Sequence, residues 1–499
     1  MTYTLFAAID VGSYELEMKI YQIEKKNKIT TIDTIRHVIE IGKDTYTTGK
    51  VSNKNIDELC RILKGFMDII KEYRIKSYTA YATSAIREAG NWENILDRIR
   101  VSTGLEVKIL SNSEQRFLGY KALSVNEDEF EKKIKDTTAI VDIGDGSIQI
   151  SLFDKNALVT TQNIKLGSLR IRELLYDVSD DRNRYCRLIE ELVNNDIQTF
   201  KRIYLKDKTI KNIIAIGDYI GYIARIKNIM TRKQFLEQFD ILKSKSIEYT
   251  SEKMSITEEQ ASLLLPCMIV YKKLFDETET ENIWIPGVDV CDGIVAEYGI
   301  MTGKLAFRHD FQEDIICTAR VLAKKYRANK AHTELVESNA VKIFDAIKKY
   351  HGLGKRERLL LQISAILHDC GKYISMSSPA ECSYNIIMST EIIGLSHEER
   401  EVVANVVKYN TMELPENGRE KNSMLIVKLT AILRVANAMD RSHKQKIREW
   451  NISVKDNKLV FTIVGNENII LEQVLFGKKA ELFEEIYGLC PVLKQKVVH

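Results

Sequence analysis

Residues 141–150 read VDIGDGSIQI, and the rest of the chain can be read outward from them. Thr138 to Val141 is an apolar, β-branched run, which reads as a strand. Asp142 falls where that strand ends. Gly144, Asp145 and Gly146 form a tight turn, and Ser147 to Phe153 reads as a second strand. A turn with little Cβ bulk lets backbone N–H groups approach an anion closely, and an aspartate at its lip can hold a cation through water. Asp-Gly turns also close ordinary hairpins, so this stretch alone leaves both readings open.

Residues 6–13, FAAIDVGS, follow the same plan: a strand, Asp10, then Gly12 and Ser13, with a strand-like Leu16 to Tyr21 after them. Two strand–Asp–Gly–Ser hairpins in one chain are what a duplicated half-domain leaves behind. Each half would then offer one phosphate loop to a shared cleft.

The 499 residues suffice for about three domains. With 44% hydrophobic and 29% charged residues, the balance is that of an ordinary soluble protein. A net charge of +3 supplies no global pull toward nucleic acid or membrane. The eight cysteines form no CxxC pair, so neither a disulfide framework nor a zinc knuckle is expected, and a reducing cytoplasm fits. The N-terminal stretch lacks the pattern of a signal peptide, and no run has the roughly 18–20 apolar residues of a membrane span.

In order, residues 1–125 alternate strands and helices, and 126–305 repeat the style. Residues 306–445 are nearly all helix, and 446–499 carry a hairpin pattern and a closing helix. In the first part, Ile56, Leu59, Ile62, Leu63, Phe66, Ile69 and Ile70 share one face of a helix that Ser52 or Asn53 can cap. Arg87 and Glu114 both follow strand ends, as do Asp10 and Asp142. In open α/β sheets ligands bind outside the carboxyl ends of strands, so these four side chains are expected to converge at one edge.

AAIDVGS, ATSAIREAGN (82–91), VDIGDGS, IKLGS (164–168) and LRVANAMDRSHKQKI (433–447) together resemble, in order, the motifs of the exopolyphosphatase and guanosine pentaphosphate phosphatase family. The resemblance implies an α/β fold of two actin-like, ribonuclease-H-like domains. Behind them it implies an all-α HD-like domain and a small α+β segment. It implies a cytoplasmic homodimer that releases terminal orthophosphate from polyphosphate or guanosine pentaphosphate, without a membrane or a specific nucleic acid as partner. In that reading Gly12, Ser13, Gly144, Asp145, Gly146 and Ser147 cradle phosphate, and Arg87 clamps it bidentately. Asp10 and Asp142 hold Mg²⁺ or another divalent cation. Glu114 orients or deprotonates the attacking water. The helix dipole also favours an acid at a helix start, which is the plain structural reading of Glu114.

Several positions depart from the family pattern. Asp145 stands in the middle of a loop that is otherwise GGGS, and an added carboxylate repels polyphosphate unless a cation lies between. Gln149, Tyr14, Glu17 and Gln115 replace a glutamate, an asparagine, a polar or basic residue and a second glutamate. Gly217-Asp218-Tyr219-Ile220 replaces a glycine-rich run, and its large side chains are expected to crowd a phosphate. These departures support an alternative: a regulatory protein that binds polyphosphate or an alarmone and has lost most turnover. In the helical part, His332 and His368-Asp369 are similar to the first three ligands of an HD metal site. Asn437 falls where a later Asp completes such a set. Core hydrogen bonding is the reading taken for this triad, with bound metal as its rival.

Overall fold

The computed structural model describes residues 3–24, 28–178, 181–205, 208–224, 228–415 and 423–496. A continuous apolar run makes Thr4–Val11 (β1), with the apolar Glu15–Ile23 (β2) beside it, the centre of a first sheet. Ile29–Val38 (β3), Tyr78–Ala82 (β4) and Val107–Ile109 (β5) complete it in the order β3-β2-β1-β4-β5. The meander β1–β2–β3 is antiparallel, while β4 and β5 run parallel to β1. Parallel neighbours need long crossovers. Asn53–Glu72 supplies the one before β4, capped by Ser52, with Ile56, Leu59, Ile62, Leu63, Phe66 and Ile70 buried.

The second sheet repeats this plan. Thr138–Ile143 (β6), Ile148–Asp154 (β7) and Ala157–Ile164 (β8) form an antiparallel meander. Asn212–Ile216 (β9) lies parallel to β6. Ile229–Thr231 (β10) and Asn282–Trp284 (β11) extend the sheet to the order β10-β11-β9-β6-β7-β8. The repeat extends to register: Asp10 lies opposite Glu17, and Asp142 opposite Gln149. Both aspartates thus end a central strand of their sheet, at the carboxyl edge. The buried helix Glu258–Glu277 fixes β6 from behind, its Tyr271 hydroxyl donating to the Val141 carbonyl at 2.9 Å.

The helix Val290–Met301 returns to the first sheet rather than the second. Its Cys291, Ile294 and Val295 share a core with Phe6, Ala8, Tyr21 and Leu118. A chain section read as part of the second half therefore closes the first. It packs against the helix Asn112–Leu123 at Gly293, where no side chain would fit.

The chain divides after Asp310 into two compact units. The second is helical from Phe311–Lys325 through Ser423–Ala438. It ends in the hairpin Glu449–Lys455 (β12) and Lys458–Val464 (β13), the helix Ile470–Tyr487, and Cys490–Lys496 (β14) parallel to β13. The hairpin was legible from its alternation; β14, half-exposed and short of apolar residues, was not. Among the described residues no helix is long and apolar enough to cross a membrane.

A Cβ at Gly293 would lie 2.4 Å from the Leu118 carbonyl oxygen, a backbone atom that cannot swing away. Gly293→Ala is expected to cost about 2–3 kcal/mol by overpacking. Gly65→Ala, in open space on a helix, should be neutral or stabilising by up to about 1 kcal/mol. Thermal or urea denaturation of the two variants checks the pair.

Candidate functional site

The two strand–turn–strand bends are built alike. Gly12 N–H bonds the Glu15 carbonyl at 3.1 Å, and Gly144 N–H bonds the Ser147 carbonyl at the same distance. Asp10, Gly12 and Ser13 from the first bend line one cleft with Asp142, Gly144, Asp145, Gly146 and Ser147 from the second. Gln115, Gln149, Gly217 and Asp289 share its wall, and the cleft holds about 60 Å³ of water-accessible space. The bends touch: Ser13 Oγ, Tyr46 Oη and Ser84 Oγ lie 2.9 Å from one another, and a Cβ on Gly146 would strike the Tyr46 hydroxyl. Gly146 is glycine because that hydroxyl needs the space.

Four carboxylates therefore share one half-buried space. Burial, followed by the fields of Glu17, Asp289, Asp145 and Glu15, lifts the Asp10 carboxyl well above the usual range. Its Oδ1 is buried without a hydrogen-bond partner among the described residues. Burial pushes Asp142 to about 6, against the lowering effect of Arg116. It also raises Asp145 and Asp289. A cluster of this kind is costly as bare anions, and a bound cation relieves it. Its all-oxygen donor set suits a hard divalent ion such as Mg²⁺, and the orphaned Asp10 oxygen offers a ligand atom.

The added Asp145 is accommodated by a second departure. Tyr219 is buried in the core of the second sheet, and its hydroxyl hydrogen-bonds Asp145. The Tyr14 N–H and the Arg172 charge also hold the Asp145 carboxyl down. The expectation that Tyr219 and Ile220 crowd the phosphate is therefore corrected: both point into the core, and only Ile216 and Gly217 of this segment line the cleft. The Asp218 side chain lies outside the described residues. Gln149 likewise accepts from Arg116 Nε at 3.1 Å.

Arg87 and Glu114 are placed differently from the other sequence-derived candidates, for neither lines the cleft. Arg87 donates to the Leu110 carbonyl and Asn112 Oδ1, both at 2.6 Å, and to Gln115 Oε1 at 3.4 Å. Glu114 closes a capping box with Ser111, its Oε2 accepting the Ser111 N–H at 2.9 Å, with Lys108 3.6 Å from Oε1. The next residue, Gln115, is the one that reaches the cleft. Sequence reading missed Asp289, whose helix-capping role with Asp292 hides it. In the second unit, His332, His368 and Asp369 gather with their donor atoms within 4.8 Å of one another.

Residues 19–299 match the family model of the Ppx/GppA phosphatase family, and residues 316–482 match Ppx/GppA phosphatase, domain III. Over 224 residues the chain is 23% identical to a bifunctional 3-dehydroquinate synthase/phosphatase of Fusobacterium nucleatum. That match covers 43% of this chain, which spans 31% of the relative's length. It is 22% identical over 309 residues to exopolyphosphatase 1 of Mycobacterium tuberculosis, covering 60% of this chain and 87% of that protein. The solved Ppx/GppA family member of Aquifex aeolicus shares the fold over 61% of this chain and 100% of its own, with a TM-score of 0.51 and 20% identity.

Asp142 carries a linkage prediction. Its folded value lies above that of an unfolded carboxyl, so its contribution to stability is present at low pH and lost as pH rises through about 6. Without divalent ions, Asp142→Asn should therefore gain melting temperature relative to the wild type between pH 4 and pH 7.5. A difference that stays flat across that window removes the assigned environment.

Proposed function

Because the chain belongs to the Ppx/GppA phosphatase family, a family of hydrolases, we propose that it is an exopolyphosphatase-type phosphohydrolase. In this reading it releases terminal orthophosphate from polyphosphate or guanosine pentaphosphate. The observation that carries the reading is the pairing of Asp10 and Asp142 across one cleft, each above a Gly–Ser bend. Asp10 and Asp142 would hold a divalent cation, which neutralises phosphate charge when bound. The Ser13 and Ser147 bends position the terminal phosphate beside it. Phosphoryl transfer asks mainly for this positioning and charge neutralisation. The narrow cleft favours a terminal phosphate group over a nucleoside. A cytoplasmic setting and a homodimer belong to the same proposal, and the eight cysteines, all unpaired, suit a reducing compartment.

One observation favours the second reading, a binding protein with weak turnover. Gln115 occupies the cleft and has no basic oxygen to accept a proton from water. Glu114 caps the Ser111 N–H through Oε2 and does not line the cleft.

Orthophosphate release from long-chain polyphosphate with Mg²⁺ tests both readings. Asp10→Asn should abolish it. Gln115→Glu should raise kcat by about 10²-fold if the cleft lacks a base. Glu114→Gln retains an oxygen to accept the capping bond. It should leave kcat unchanged if the residue only caps, and lower it by about 10²-fold if it takes the proton. Tight polyphosphate binding with no release in any variant would establish the binding protein instead.

A further inference from the structure

Each of the two bends is backed by the start of a short helix. Residues 39–42, IEIG, and 164–167, IKLG, form a second repeated pattern in the chain. The helix Ile41–Thr48 begins within the first, and Ser168–Leu174 begins just after the second. Each glycine lies against its own bend. A Cβ on Gly42 would come within 2.8 Å of Ser13 Cβ, and one on Gly167 within 2.3 Å of the Asp145 carbonyl. The Gly42 N–H bonds the Ser13 carbonyl at 2.7 Å. The second bend is backed more completely. Ser168 N–H bonds the Gly144 carbonyl at 2.9 Å, and Arg170 N–H bonds the Asp145 carbonyl at 3.0 Å. Arg170 Nε bonds the next carbonyl, that of Gly146, at 3.0 Å.

Three successive carbonyls are thus drawn toward one helix start. In a trans peptide the N–H points opposite to the C=O, so the N–H groups of Asp145, Gly146 and Ser147 turn away from that helix. Residues 144–147 line the cleft, whereas Gly167, Ser168 and Arg170 do not, so the cleft lies on the side to which these N–H groups turn. Consecutive N–H groups aimed one way make an anion-binding concavity. Arg170 also reaches out of this bend. Its Nη2 pairs with Glu88 Oε2 at 2.7 Å, and its guanidinium lies 4.2 Å from the centre of the Tyr46 ring. Both partners belong to the first half, where the Tyr46 hydroxyl lies 2.9 Å from Ser13 Oγ. One planar group therefore joins the Gly146 carbonyl to the first bend. At the matching place of the first repeat, three residues after its glycine, stands Thr45. Its hydroxyl bonds the Ala85 carbonyl within the first half, so this arm crosses in one direction.

We propose that Arg170, which stands outside the cleft, is a positioning residue for the phosphate site. It holds the Gly146 carbonyl back, so that the N–H groups of the second bend meet the terminal phosphate. Through Glu88 and Tyr46 it also fixes how far this bend stands from the Ser13 bend. The proposal rests on the reading that the two bends hold that phosphate. Lysine does not replace arginine here, because a single ammonium lacks the planar fork that serves a carbonyl, a carboxylate and a ring face together.

Steady-state orthophosphate release from long-chain polyphosphate with Mg²⁺, measured on the full-length protein, tests this. Arg170→Lys and Arg170→Gln should each lower kcat by about 10²-fold, while KM moves by about tenfold or less. Glu88→Gln, which keeps the Gly146 bond and releases the tie to the first half, should lower kcat by about tenfold. Circular dichroism identifies any variant that fails to fold, and Glu88→Gln, the smallest change in shape, then decides. An arginine with a structural role alone would lower the melting temperature and leave the kcat of the folded protein unchanged, and that result overturns the proposal. Wild-type protein that releases no orthophosphate defeats the functional reading by itself. Isothermal titration with inorganic phosphate then decides about Arg170. Binding about tenfold weaker in Arg170→Gln sustains the proposal, and equal binding, or no binding to the wild type, overturns it.

Discussion

Like charges gathered in a half-buried cleft set the terms for the first unit. Asp10 and Asp142 end the central strands of two like-built sheets, and Asp145 and Asp289 share their space. Desolvation lifts all four carboxyls, and repulsion adds to it, from Glu17, Asp289, Asp145 and Glu15 at Asp10 and from Glu17 at Asp289. Such a cleft is stable only if its surroundings supply compensating charge. Lys19 bridges Asp289 and Asp292, and Arg36 pairs with Glu17 behind Asp10. What these cations leave unanswered is Asp10 Oδ1, buried without a hydrogen-bond partner among the described residues. In the proposed reading a hard cation between carboxylates and phosphate would supply that charge.

The departures from the family pattern make more sense in pairs than one at a time. Asp145 brings an extra carboxylate, and Tyr219 brings a hydroxyl that binds it from the core. Gln149 brings an amide, and Arg116 donates to it. Each pair joins residues distant in sequence, so each change taken alone looked like damage to the cleft. Gln115 differs from these because its change removes proton-accepting capacity from the cleft wall. It bears on the rate of the chemistry more than on the shape of the site.

The two units carry different donor chemistries. The first offers oxygen atoms at the ends of strands, and the second offers imidazole nitrogens between helices. In the second unit a backbone carbonyl and a carboxylate meet the outer nitrogens of two facing imidazoles.

Much of this was legible in the sequence. Strand–Asp–Gly–Ser occurs twice, and a local pattern of that kind dictates both the bend and the position of its aspartate. Period and capping located the helix Asn53–Glu72, because a stripe of apolar residues and a serine cap act within a few turns. The sequence could not show that Glu114 would cap its own helix while Gln115 faced the cleft, since adjacent positions on a helix point about 100° apart and only packing selects the inward one. Nor could it show Asp289 arriving from the far end of the first unit, Tyr219 folding under Asp145, or Asp440 standing behind His332. Those are contacts across long separations, and they exist only once tertiary packing has brought the segments together and removed the water between them.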